Sequence, residues 1–243
     1  MARPGVKKLF WRSLLLQSAW SFAGMQALGV SWAMEPLLDE LYGMEGEKRV
    51  ESARRYISTL NTHPFIAPAI LGCAAKMEEN GEGANIEATL AAVMGPFGGV
   101  GDAFFWGALK PMVAVAAMSA VMMGHLLTAL LFILLWMGVN LGSRIYFFRL
   151  GYKRGRDGLA QVMRLSLFAL SRRIKAAASA LLGFYLGFVV MGLKSSWGSS
   201  EWFWATLVLG ATFLIYIPVR RGVDPLWFIM AGTLLIFGVE LYP

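Results

Sequence analysis

Met94-Gly95-Pro96-Phe97-Gly98-Gly99-Val100-Gly101-Asp102-Ala103-Phe104-Phe105-Trp106-Gly107 is the stretch on which the fold turns. Between residues 95 and 101, four of seven positions are glycine and one is proline. Glycine admits dihedrals and backbone approaches closed to other residues, and proline removes an N–H donor. The composition therefore predicts a break in regular helix. Apolar segments lie on both sides, so the break falls inside a hydrophobic region and carries an ionisable Asp102. Irregular backbone at membrane depth persists only where protein buries it or where it lines a wet cavity. A carboxylate at such depth is costly enough to mark a functional site. The expectation is a substrate-lining loop between two half-helices, shaped by Gly95, Pro96, Gly98, Gly99 and Gly101, with Asp102 as ligand. The alternative is a structural break with Asp102 as the N-cap of the following helix, a role compatible with ligand contact. Nucleotide motifs fail, since GxGxxG begun at Gly99 needs a glycine at Phe104 and GxxxxGK[ST] needs an absent lysine.

Outside this stretch the composition is that of an integral membrane protein: 57% hydrophobic, 15% charged, with a mean hydropathy of +0.58. A single cysteine, Cys73, excludes an internal disulfide framework. His63 and His125 stand too far apart to suggest a metal site, and neither metal nor cofactor is expected. The net charge of +7 comes from basic residues beside hydrophobic spans, which points to orientation and anionic lipid rather than to nucleic acid. Residues 3–17 lack the clean apolar core and cleavage site of a signal peptide.

Residues 5–42 read as an amphipathic, interfacial helix pair broken near Gly24 or Gly29, with a further turn beginning at Glu35-Pro36. Residues 45–60 read as an amphipathic helix with Val50, Ala53, Ile57 and Leu60 on its apolar side. Its charges, and Glu78-Glu79 further on, read as solvated. Asn61-Thr62-His63-Pro64 interrupts before apolar Ile66 to Ala75, which is too short to span and suits a re-entrant limb. His63 reads either as a hydrogen-bonded structural residue or as a ligand. Pro111 to Ser143 carries no Lys, Arg, Asp or Glu and is divided at Gly124-His125 into two passes. A short amphipathic segment at 159–170 follows, and then apolar stretches 176–193, 202–219 and 225–239. The segments group as interfacial helices over 1–60, a core with broken helices and a glycine-rich loop over 61–124, and transmembrane helices over 125–243. Basic clusters at 144–175 and 220–221 predict those loops inside, the N-terminus inside and the C-terminus outside.

These residues resemble a known family in order and spacing. Gln17-Ser18-Ala19-Trp20, Met25-Gln26-Ala27-Leu28-Gly29, Asn61-Thr62-His63-Pro64, Pro68-Ala69-Ile70-Leu71-Gly72, Met94 to Gly107, Leu150-Gly151-Tyr152-Lys153 and Asp224-Pro225-Leu226-Trp227 are similar to the signatures of IID components. These belong to the mannose/fructose/sorbose-type sugar phosphotransferase system (PTS) of bacteria. The resemblance implies an all-α integral membrane protein of the elevator type, multi-pass in the bacterial cytoplasmic membrane. It implies a IIC partner, a trimer of IIC–IID heterodimers, and a hexose or amino-sugar substrate. Phosphate would come from a histidine on the cytoplasmic IIB subunit, charged through IIA and the phosphocarrier HPr, so this chain itself would carry no phosphate.

A neutral sugar needs hydroxyl partners and an aromatic face. Asp102, Asn61, His63, Gln26 and Trp106 supply those types around the broken segments. Two departures stand out. Ser21-Phe22-Ala23-Gly24 replaces the family's Asn-Tyr/Phe-Glu-Arg, which removes an acid–base pair, and Ala103 replaces the usual proline. They define the alternative function, an orphan or regulatory membrane subunit without transport. An intramembrane hydrolase would need paired metal ligands or an activated nucleophile, and Asp102 with His63 provides neither.

Overall fold

The computed structural model describes residues 3–58 and 60–197, together with positions 206, 210 and 217. The chain forms two compact units, Met1–Leu181 and Leu182–Pro243, and the candidate site lies within the first. The expected crossings at 202–219 and 225–239 fall outside the described residues. Helices make up the fold, and no strand occurs among the described residues.

Pro4 opens α1 (Pro4–Ser13), where its missing N–H costs nothing. Val6, Leu9 and Ser13 face inward while Trp11 points out. A 3-10 turn, Leu16–Ala19, leads into a tight knuckle. There Ser21 and Met25 exchange both backbone hydrogen bonds at 3.1 and 2.8 Å. Next comes α2 (Ala27–Tyr42). The break thus falls around Gly24, whereas Gly29 and Pro36 lie inside α2, contrary to the turn expected at Pro36. Proline at 36 cannot bond the Trp32 carbonyl, but Arg12 Nη1 donates to that oxygen at 2.6 Å and to Glu35 at 3.0 Å. A side chain from α1 supplies the donor the helix lacks.

The amphipathic helix expected over 45–60 is shorter, α3 (Glu47–Arg54), and is rotated from its predicted face. Val50 and Ile57 are exposed, while Ser52 and the following Tyr56 are buried. After the turn comes α4 (Ala67–Glu79), the centre of the unit, in which every residue but Lys76 and Glu79 is buried.

The largest correction concerns the glycine-rich stretch. It forms no loop. A helix runs through α5 (Ile86–Gly101), a π-helical segment (Asp102–Leu109) and α6 (Lys110–Met122). Including the 3-10 turn at Gly83–Asn85, it is 40 residues long, or about 60 Å at 1.5 Å per residue. Gly95, Pro96, Gly98, Gly99 and Gly101 are all helical. At Gly101 the missing side chain permits contact rather than a break: a Cβ there would collide with the Cβ of His63. Gly98 passes Thr62 Cα at ordinary contact distance, 3.7 Å from where its own Cβ would stand, and Gly95 and Gly99 face open space. The irregularity is displaced to the residues just after them, as a widened π turn. Asp102 makes no side-chain cap there.

The predicted division at Gly124-His125 is observed: Gly124 has φ +82° and α7 (Leu126–Arg154) begins after it. An 18-residue stretch of that helix has a mean hydropathy of 2.0, and the helix exposes apolar side chains, Leu127 by 78% and Leu131 by 64%. A soluble core helix would bury them; a lipid-facing one does not. α4 and α7 pack backbone to backbone. A Cβ on Gly72 would strike the Phe148 carbonyl, and one on Gly151 the Ala69 carbonyl. Small residues at such crossings are how membrane helices approach closely. Gly155, at φ +53°, turns the chain into α8 (Arg156–Arg164), and a bend at Leu165-Ser166 precedes α9 (Leu167–Trp197). The segment expected over 159–170 is therefore split between two helices.

Candidate functional site

Pro64 keeps His63 out of helical geometry, so the chain crosses the start of α4 in extended form before turning. The His63 carbonyl accepts from Ile66 N–H at 3.0 Å and Ala67 N–H at 2.9 Å, which anchors the residue to α4. Its ring is 1% exposed as a residue and enclosed by aromatics. Phe105 stacks on it at 5.1 Å and 17°, Trp106 meets it edge-on at 4.8 Å, and Phe65 at 5.1 Å. Phe105 and Trp106 come from the π segment, whose width brings successive residues to one face.

His63 Nδ1 accepts the Phe65 N–H at 3.2 Å, so the ring proton resides on Nε2. Burial, and after it the Arg144 guanidinium, pull the imidazole pKa down to about 4, and at neutral pH the ring is uncharged. Among the described residues His63 Nε2 has no hydrogen-bond partner, nor has Thr62 Oγ1 or Arg144 Nε. Arg144 itself reaches in from α7, donates to Leu14 O at 2.8 Å and lies 5.1 Å over the Phe65 ring. Buried polar atoms are nearly always satisfied, each orphan costing about 1–3 kcal/mol. Orphaned polar groups on adjoining elements single this place out as a candidate site.

The other residues singled out from sequence distribute around this ring. Trp106 is 44% exposed, so one part of the indole covers His63 and the rest is open. Asn61 and Asp102 are exposed and form no hydrogen bond or ion pair with the described residues. Asp102 lies four residues before Trp106, and Gly101 beside it touches His63. Lys175 of α9 brings its Nζ to the same segment, 3.4 Å from where a Gly107 Cβ would stand. Gln26 is placed differently. It is 2% exposed and its amide grips the backbone of Thr62, Nε2 donating to the carbonyl at 2.6 Å and Oε1 accepting from N–H at 3.4 Å. Met25 adopts φ +53°, unusual for a residue with a side chain, and the Gln26 N–H then reaches Leu60 O at 2.8 Å. Gln26 thus holds the 60–62 segment from beneath.

A second polar cluster was read from sequence as solvated charge, and the structure overturns that for Glu78. Its side chain is fully buried. It accepts from Tyr42 OH at 2.6 Å, Tyr56 OH at 2.8 Å and Arg55 Nη1 at 3.0 Å. Burial and the adjacent carboxylate push the Tyr56 hydroxyl well above its ordinary pKa, and they raise Tyr42 as well. Burial, the largest single influence, pulls Arg55 down, but the Glu78 charge together with hydrogen bonds to Glu78 and Tyr42 outweighs it and the net shift is upward. The signal was present in the helix register. Leu71, Ala74, Ala75 and Glu78 fall at i, i+3, i+4 and i+7, one face of α4. Glu79, one residue on, keeps the partly solvated ion pairs expected of a helix end, with Arg3 at 3.5 Å and Lys76 at 3.9 Å.

Comparisons with known proteins agree on one family. The model described as "PTS system mannose/fructose/sorbose family IID component" matches residues 2–197. The mannose-specific EIID component of Escherichia coli K12 is 37% identical over 163 residues, covering 65% of this chain and 58% of that relative's length. The fructose permease IID component of Bacillus subtilis is 29% identical, over 97% of this chain and 94% of that one. Among solved structures, a cryo-EM structure of the mannose transporter ManYZ with microcin E492 shares 28% identity, covers all of this chain and 96% of its own, and gives a TM-score of 0.60. A further membrane-protein structure gives a TM-score of 0.72 at 29% identity, over 99% of this chain and 96% of its own. The chain therefore belongs to the mannose/fructose/sorbose family of PTS IID components.

Proposed function

We propose that this chain is the IID membrane subunit of a mannose-type PTS permease, which together with a IIC subunit moves a sugar toward phosphorylation by a cytoplasmic IIB subunit. The observation that carries the reading is the site itself. A neutral histidine, buried and with its Nε2–H unpartnered among the described residues, lies beneath a half-exposed tryptophan, and the unpaired Asn61 and Asp102 stand at the open edge. An uncharged polyol suits such a set: directional donors and acceptors and an aromatic face for its C–H surface. In this reading Asp102 and Asn61 take hydroxyl hydrogen bonds, Trp106 packs the sugar ring, and His63, edge-on beneath, holds the indole in place. Gln26 positions Asn61 and His63 by fixing the backbone between and before them. The phosphoryl group would travel on a histidine of IIB, since His63 is enclosed by aromatic rings.

The same reading supplies an elevator-type movement against a scaffold, assembly as a trimer of IIC–IID heterodimers, and an N-terminus on the cytoplasmic side. The test is uptake and phosphorylation of mannose, fructose and sorbose in cells expressing this chain with its IIC and IIB companions, compared with cells lacking it alone. The reading requires that uptake collapse without this chain; uptake of equal rate in both would refute it.

A further inference from the structure

A groove between α1 and the last turns of α7 encloses about 670 Å³, a volume typical of ligand sites. Its wall is apolar, formed by Val6 and Phe10 from α1 and by Ile145 and Phe148 from α7. Its rim is cationic, with Lys7 on one side and Arg149 and Lys153 on the other. These three are exposed, and no carboxylate pairs with any of them among the described residues. Of the neighbouring cations, Arg3, Arg12, Lys76 and Arg156 have acidic partners, while Lys8 and Arg154 lie off the groove without one among the described residues. Tyr152 also lines the groove, but its hydroxyl is engaged with Glu79 at 2.9 Å. Trp11, 64% exposed, stands at the lip.

Like charges one turn apart, as Arg149 and Lys153 are, repel unless an anion lies between them. An apolar slot ending in unpaired cations matches a ligand with a fatty tail and an anionic head. The groove also lies where α7 changes from an uncharged run to a basic end, the depth of lipid headgroups. A free phosphate would leave the apolar wall unexplained. We propose that this groove binds one anionic phospholipid, its acyl chain against Val6, Phe10, Ile145 and Phe148 and its phosphate between Lys7, Arg149 and Lys153. The bound lipid would fix α1 to α7 and so hold the interfacial helix against the membrane-facing one. The proposal needs the chain to reside in a bilayer but not to carry sugar.

The test uses the full chain purified in detergent and titrated with phosphatidylglycerol or phosphatidylcholine, with bound lipid counted by native mass spectrometry. The chain should retain one phosphatidylglycerol in preference to phosphatidylcholine. Each charge near an anionic headgroup contributes about fivefold in affinity, so Lys7→Gln/Arg149→Gln/Lys153→Gln should weaken retention on the order of 100-fold. Ile145→Trp, on the half-buried part of the wall, fills the slot, leaves the charge intact and should also release the lipid. Arg172→Gln/Arg173→Gln, exposed cations on α9, should change nothing. Equal retention of both lipids would overturn the proposal, as would an equal loss in the α9 control. Millimolar inorganic phosphate displacing the lipid would make this a bare anion site and overturn it. Loss of the lipid on co-expression with the companion membrane subunit would make the groove a protein interface and overturn it too.

Discussion

Replacing Glu78 with glutamine removes one charge and almost no volume from the centre of the fold. The carboxylate is fully buried and receives two tyrosine hydroxyls and the Arg55 guanidinium, so the amide must present an NH2 to groups that are themselves donors. Arg55, with only 18% of its side chain exposed, is left without its charge partner at 3.0 Å. Breaking a buried pair by removing one member costs about 3–5 kcal/mol. In a chain of this size that corresponds to an apparent Tm lower by on the order of 10 °C. The internal control uses the same arginine. Glu51 also pairs with Arg55, at 3.7 Å, but its side chain is 71% exposed, and Glu51→Gln should cost less than about 1 kcal/mol. Joint replacement Glu78→Leu/Arg55→Met should recover only part of the loss, since it leaves neither charge unpaired but takes the acceptor from the buried Tyr56 hydroxyl. Thermal denaturation of the purified chain in detergent, followed by tryptophan fluorescence, reads all three. Equal Tm values for Glu78→Gln and Glu51→Gln would refute the claim that this buried carboxylate organises α2, α3 and α4.

Two further outcomes follow from the packing around His63 and α7. The imidazole is held at about 4 in the fold against about 6.5 when unfolded, so the unfolded chain binds more protons between those values. Stability contributed by neutral His63 is therefore complete above about pH 6.5 and falls as pH drops toward 4, by about 3 kcal/mol; His63→Phe should flatten that part of the pH–Tm curve, and an unchanged slope would contradict it. Gly151→Val should push α4 from α7, because its side chain enters the Ala69 carbonyl, at a cost of about 1–3 kcal/mol or more. The same substitution at exposed Gly142, which has nothing within reach of a Cβ, should leave thermal stability close to wild type.

Local composition foretold some elements and misread others. The turn at Gly124-His125 was legible because glycine at φ +82° interrupts an otherwise uniform apolar run. The glycine-rich stretch was misread as a loop because glycine composition cannot distinguish a helix break from a helix packed against another backbone. Only the nearness of His63 and Thr62 decides between them. Pro36 misled for a similar reason: the donor that completes its helix sits on Arg12, 24 residues earlier in sequence. Glu78 was legible in the register of α4 but outweighed by its charged neighbours Lys76 and Glu79. Of the site residues, His63 and Trp106 are brought into contact, with Asn61 and Asp102 open at the edge. Gln26 has both its amide groups occupied by Thr62. That engagement depends on the unusual backbone at Met25, which no residue pattern announces.

The most direct measurement places a thiol beside the proposed sugar contact. Gly99→Cys presents an exposed sulfhydryl one turn before Asp102 and leaves that carboxylate in place, while the native cysteine, Cys73, is buried and its thiol pushed up to about 12 by that burial, which keeps it slow toward maleimide. Labelling is timed in membranes containing the assembled permease, with and without the sugar that supports uptake, and Ala91→Cys on the exposed side of α5 serves as reference. The account predicts that sugar slows labelling at 99 several-fold and leaves 91 unaffected. Identical rates at 99 with and without sugar would contradict it.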